Sequence, residues 1–73
     1  MRNVSNPEML GKIIREKRKK QSLTQQQLAG VSGTGVRFIS DLEKGKATCH
    51  IGKVFRVLEM LGITLTLGSR NKL

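Results

Sequence analysis

Neither tryptophan nor tyrosine occurs in this 73-residue chain, and Phe38 and Phe55 are its only aromatic residues. Any core is therefore built from Leu, Ile, Val and Met, and a chain this short buries only about 60% of the surface its unfolded form exposes. Pairing with a second copy would supply burial that a monomer lacks, so a homodimer is expected. Cys49 is the single cysteine, which excludes an intrachain disulfide and a cysteine-based zinc site and fits a reducing cytoplasm. No stretch approaches the roughly 18 apolar residues of a membrane span, and "MRNVSNPEML" holds no apolar run of signal-peptide length, so no membrane partner is expected. Acidic residues are scarce as well. Five Asp and Glu stand against 14 Lys and Arg, for a net charge of +9. A field that positive selects polyanionic partners, but nucleic acid, an anionic membrane surface and an acidic protein all satisfy it, and only the residue pattern can choose between them.

The scarcity of acids also bears on catalysis. There is no Ser/His/Asp constellation and no paired-carboxylate arrangement, so no enzyme is expected. His50 is the only histidine and adjoins Cys49; with no second His or Cys to complete a site, neither metal nor cofactor is expected. The glycine-rich "GVSGTG" lacks the preceding strand and the lysine of a phosphate-binding loop.

What is present is a set of helix signals. Asn6 is a good N-cap, Pro7 occupies a first-turn position, and Glu8 places negative charge at the positive end of the dipole, predicting a helix over 7–21. Leu10, Ile13, Ile14 and Lys17 fall at helical spacing. The run "REKRKK" reads as a solvated face complementing the dipole's negative end, with a nucleic-acid clamp as the alternative. Thr24 caps a second helix over 25–31, with Gln27 completing a capping box and Leu23 and Leu28 at staple spacing. Gly33 supplies a tight turn, and Gly35 stands at the cap of a third helix over 36–44. In that helix Ile39 and Leu42 turn inward with Phe38 flanking, Val36, Arg37, Ser40 and Asp41 share the other side, and Gly45 ends it. Thr48 is the expected cap of a fourth helix over 50–61, whose stripe Ile51, Val54, Phe55, Leu58 and Leu61 reads as core. Gly62 closes it.

Two short helices joined by a tight turn form a helix-turn-helix, the second short enough and polar enough outside to lie in a major groove. The order "LGKIIREKRK", "LTQQQLA", "FISDLEKGK" and "KVFRVLEMLGITLTL" resembles the Xre and Cro/C1-type family, and within it the HipB-type antitoxins, repressors of toxin–antitoxin operons. The resemblance implies an all-α, lambda-repressor-like helix-turn-helix domain of about four helices over residues 7–62, behind a flexible tail at 1–6. It assigns Gln25 to a phosphate contact that also braces the reading helix. Thr34, Gly35, Val36, Arg37 and Ser40 are placed at the DNA surface, with Lys44 and Lys46 on phosphates. Chemistry agrees in part: an arginine can grip guanine O6 and N7, a valine can pack on a thymine methyl, and a serine is permissive. Gly35 and Val36 stand where the family often has a Ser or Thr cap and a polar reader. Asp41 faces outward too, where phosphates would repel it unless it accepts from cytosine or pairs with Arg37. Specificity is thus expected to rest on Arg37 and on DNA shape. The family pattern also pairs an arginine of the first helix, here Arg18, with Glu43 as a structural lock.

The period then changes to two. Ile63, Leu65 and Leu67 alternate with Thr64 and Thr66, a strand signal, and a lone strand needs a partner. The segment 63–73 is therefore expected to carry a C-terminal β-strand that dimerises with its copy across a two-fold axis, as in HipB-type antitoxins, so that two reading helices meet a palindromic operator. The function so implied is that of a repressor of double-stranded DNA, the antitoxin and autorepressor of a HipA-like kinase toxin. A phage-type or restriction-controller repressor without a toxin, and a module docking an acidic protein, are the alternatives.

Overall fold

The computed structural model describes residues 3–68 and contains four helices: α1 (Pro7–Lys20), α2 (Gln25–Ser32), α3 (Val36–Glu43) and α4 (Ile51–Leu61). The parts of the expected tails at 1–2 and 69–73 lie outside the described residues. Helices α1, α2 and α4 each begin at a side chain that accepts from an orphan first-turn N–H group, and α3 begins at a glycine without one. Asn6 Oδ1 accepts from the Met9 N–H at 2.8 Å, and Pro7 follows at the first helical position. The capping box of α2 is complete: the Gln27 N–H reaches Thr24 Oγ1 at 3.0 Å and the Thr24 N–H reaches Gln27 Oε1 at 2.8 Å. Helix α2 runs one residue past its predicted end because Ser32 Oγ donates to the Leu28 carbonyl at 2.7 Å instead of breaking the turn. Helix α1 stops one residue short of its predicted end, and Ser22 takes a left-handed φ of 58° as the chain turns toward α2.

The core gathers one stripe from each helix. Ile14, Leu28, Ile39, Val57 and Leu61 are fully buried, with Ala29, Leu42, Val54 and Leu58 around them. Helix α1 crosses both α3 and α4, and α2 packs on both as well. Helix α1 passes close to the end of α3. A Cβ on Gly11 would lie 2.5 Å from the Leu42 carbonyl oxygen and 2.7 Å from that of Glu43. One on Gly45, whose φ is 86°, would lie 2.7 Å from the Cα of Glu8. Both positions need glycine for space, and Gly45 needs it for backbone conformation as well.

Two expectations are corrected here, and a third finds no support. The core face of α4 is Val54, Val57, Leu58 and Leu61, whereas Ile51 and Phe55 are 65% and 49% exposed. Only three other helices are available, and they cover the α4 face centred between Val54 and Leu61 while its Ile51–Phe55 edge stays in solvent. The cap of α4 is His50, not Thr48: its Nδ1 accepts from the Lys53 N–H at 3.3 Å, an acceptor role open to imidazole as to Asn or Asp. Third, no strand forms among the described residues. The Ile63 N–H is tied back to the Leu58 carbonyl at 2.9 Å, closing α4, and the residues after it are exposed, Leu67 at 90%. With no second extended segment beside it among the described residues, this alternating stretch has nothing there to form a ladder with.

Candidate nucleic-acid interface

The sequence "LTQQQLAGVSGTGVRFISDLEKGK" becomes α2, a tight turn, α3 and the loop that leaves it. Gly33 takes a φ of 68° that a side-chain residue rarely adopts, which lets the chain reverse directly after α2. The turn is then pinned: the Thr34 N–H donates to the Ala29 carbonyl at 3.0 Å, and the Ser32 and Thr34 hydroxyls lie 3.0 Å apart. Gly35 enters α3 in an extended conformation with no side-chain cap, so the first-turn N–H groups of the helix remain free of a side-chain acceptor.

Helix α3 divides cleanly. Ile39, Leu42 and Glu43 are buried, and Phe38 packs against the core edge with Lys53 Nζ 5.8 Å from its ring centroid. On the other side Val36 and Arg37 are exposed, Ser40 is half-buried, and Lys44 is exposed at the C-terminal end. These residues of the expected reading set therefore share one open face, with Thr34 half-buried and Gly35 exposed at its edge. Lys46 stands apart in the following loop. Its Nζ lies 3.5 Å from Asp41 Oδ2, so the acid on the outer side of α3 is accompanied by Lys46 rather than by Arg37. At half exposure this pair is worth little in stability, about 0–1 kcal/mol, but it offsets a negative charge on a face otherwise positive.

The face is held in place by a buried cluster. Arg18 of α1 donates from Nε to Glu43 Oε2 at 2.6 Å and from Nη2 to Oε1 at 3.0 Å, with the two side chains 9% and 3% exposed. Its Nη1 reaches the Leu23 carbonyl at 2.8 Å, at the entry to α2. Gln25, the first residue of α2, completes the cluster by donating from Nε2 to Glu43 Oε1 at 3.1 Å. One carboxylate on α3 thus ties α1, the start of α2 and the outer helix together. The hydrogen bonds from Arg18 to Glu43 hold the guanidinium above the ordinary arginine range, more than burial lowers it. Gln25 is half-buried at the N-terminus of α2.

Sequence reasoning missed the approach of Gly11 to α3, for which a glycine in an otherwise strong helix was the available signal. It also missed Gln21, whose Nε2 donates to the Leu61 carbonyl at 2.9 Å and ties the end of α1 to the end of α4. Cys49 Sγ contacts the Lys46 carbonyl at 3.4 Å and packs at the core edge, and no group of three His, Cys, Asp or Glu suited to a metal occurs among the described residues. Among those residues no helix is long and apolar enough to cross a membrane.

Two short helices set at an angle about a glycine turn, the second presenting an open face behind a buried brace, define a helix-turn-helix domain. The chain belongs to the Xre/Cro-type helix-turn-helix family, whose model, described as Helix-turn-helix, matches residues 14–67. It is 46% identical over 74 residues to the uncharacterized HTH-type transcriptional regulator y4mF of Sinorhizobium fredii, covering 97% of each chain. Among solved structures, a chain of the HipA-HipB-O2-O3 complex matches with a TM-score of 0.87 at 22% identity, over 97% of this chain and 100% of that one. The restriction-modification controller protein C.AhdI from Aeromonas hydrophila matches with a TM-score of 0.71 at 24% identity, over 80% and 84% of the two chains. At these identities the two structural likenesses are likenesses of fold.

Proposed function

We propose that this chain is a sequence-specific transcriptional repressor that binds double-stranded DNA as a homodimer. The observation that carries the reading is the open face of α3, where Val36, Arg37, Ser40 and Lys44 project from a helix that a buried carboxylate locks to the rest of the domain. Helix α3 enters the major groove in this reading. Arg37 takes guanine O6 and N7, Val36 meets a thymine methyl, and Ser40 accommodates either edge. Thr34 and Gly35 approach the backbone at the mouth of the groove, and Gln25, Lys44 and Lys46 fix the register through phosphates. The 46% identity to a protein described as a transcriptional regulator supports this assignment.

The partner copy joins through Ile63, Thr64, Leu65, Thr66 and Leu67, which form a two-stranded ladder only when a second chain supplies the other strand. Leu65 and Leu67, 48% and 90% exposed in the single chain, are the side chains that pairing would cover. Two reading helices then face a palindromic operator, and occupancy excludes polymerase. A HipA-like kinase toxin is the proposed second partner, which makes the chain an antitoxin and autorepressor in the cytoplasm; the chain shares its fold with a chain of the HipA-HipB-O2-O3 complex. Copurification with a kinase encoded beside it tests that part.

The reading of DNA itself is tested by comparing Arg37→Ala with Lys44→Ala on matched and scrambled duplexes. Arg37→Ala costs about 1–3 kcal/mol and relaxes preference at one base position, while Lys44→Ala weakens all sequences alike. Identical behaviour of the two variants on both duplexes would remove Arg37 from the reading set.

A further inference from the structure

Helix α1 carries five exposed cations, Lys12, Arg15, Lys17, Lys19 and Lys20, and the reading face of α3 uses none of them. Their roles divide once the neighbours of α1 are placed around its axis. Leu10 packs on the core edge and Gln21 bonds the end of α4, so α4 lies to one side of the buried Ile14. Gly11 meets the last carbonyls of α3 and Arg18 meets Glu43, so α3 lies to the other side. At about 100° per residue, Arg15 and Lys19 follow Gly11 at one- and two-turn spacing and drift outward past α3, with Lys12 beyond them. Lys17 and Lys20 fall on the opposite flank, toward α4 and away from α3.

The same argument applies to α3. Phe38 faces α4 through Lys53, Glu43 faces α1 and the start of α2, and the exposed Val36 and Lys44 with the half-buried Ser40 follow around the helix on the Glu43 side. The outward flank of α1 and the reading face of α3 therefore adjoin across the Arg18–Glu43–Gln25 cluster.

Resting on the reading of DNA binding above, we infer that Arg15 and Lys19, with Lys12 behind them, form a phosphate track that extends the footprint beyond the groove occupied by α3. The partner is duplex backbone, recognised by charge alone, so the track adds affinity and salt dependence without adding sequence preference. Charge complementarity chooses this partner: the acids of α1 are Glu8 in its first turn and Glu16 on its outer face, against the five exposed cations.

The test compares two variants with the same loss of charge, Arg15→Gln/Lys19→Gln and Lys17→Gln/Lys20→Gln, both of exposed residues whose folding is checked by thermal melts. The probe is a mixed-sequence duplex, titrated across a series of salt concentrations. For each phosphate contact removed, the slope of log affinity against log salt falls by about 0.9. The first variant lowers the slope by about 1.8 per bound protomer, and the second leaves it near the wild-type value. Equal slope changes in the two variants, or no change in the first, overturn the track while leaving DNA binding by α3 intact. A wild-type chain that binds no duplex at low salt overturns both readings at once.

Discussion

Substituting Arg18 by methionine tests the brace behind the reading face. The substitution keeps the apolar stem of the side chain but leaves Glu43, 3% exposed at its side chain, with Gln25 as the donor to its carboxylate. Breaking a buried pair in this way costs about 3–5 kcal/mol. A 73-residue chain has a total stability of roughly 4–11 kcal/mol at 0.05–0.15 kcal/mol per residue, so the variant sits at or near the folding threshold. At about 4–8 °C per kcal/mol for a domain of this size, the expected fall in Tm is roughly 12–40 °C. Replacing both partners, as Arg18→Met/Glu43→Met, removes the stranded charge and recovers most of that loss, because an apolar pair of similar volume is often neutral or better. Urea and thermal melts of the wild type, both single variants and the double variant form the cycle. The pH dependence of the Arg18 contribution has a definite sign. A cation whose folded value is raised contributes stability that is complete below its unfolded value and is lost only as pH rises through the folded one. The Arg18 contribution is therefore constant from neutral pH to about pH 10, well below the ordinary arginine range. Single variants that cost under about 1 kcal/mol, or a double variant that loses the sum of both, would refute the reasoning from burial and pairing.

Three further outcomes follow from the packing. Gly11→Ala gains up to about 1 kcal/mol of helix propensity but pushes a methyl group against the carbonyls of Leu42 and Glu43; the clash outweighs the gain, and a net loss of about 1–3 kcal/mol is expected in denaturant melts. Leu65→Pro removes a ladder donor from the C-terminal segment, so sedimentation shows a monomer and the operator titration loses the coupling between half-sites; a variant that stays dimeric moves the interface to the helices. Binding of the wild type to duplex DNA falls by roughly 10³–10⁵ in affinity between about 50 and 200 mM salt if six to ten phosphates are engaged, and a flat titration contradicts the proposed contacts.

The helices were legible in the sequence because their signals are local. Asn6 and Pro7, the Thr24–Gln27 box, and the left-handed glycines at 33, 45 and 62 each satisfy groups within a few residues of themselves, so spacing alone locates the ends to within one residue. The inward residues of α3 were legible for the same reason. What depended on distant neighbours was not. The stripe of α4 runs Ile51, Val54, Phe55, Leu58, Leu61 in the sequence, yet which half of it is buried is set by where α1 and α2 cross, and that choice leaves Ile51 and Phe55 outside and takes Val57 in. His50 displaced Thr48 as cap because imidazole can accept from Lys53, a role that residue preferences rank below the hydroxyl of threonine. The alternation at 63–67 is a true period-two signal, but a ladder needs a second strand and none lies beside it among the described residues. Helix α1 hid most: its cations read as one run in sequence, and only the positions of Gly11, Arg18 and Gln21 against their partners divide them into two flanks.

The central claim is that the open face of α3 reads base sequence. Selection of bound duplexes from a random pool with the wild-type chain, repeated with Arg37→Ala, tests it most directly. The account predicts a two-fold symmetric site whose half-sites are centred roughly 10–10.5 bp apart or a multiple of that, with one guanine position in each half losing its preference in the variant. A wild-type pool with no enriched sequence, or an enriched site that Arg37→Ala leaves unchanged at every position, would contradict it.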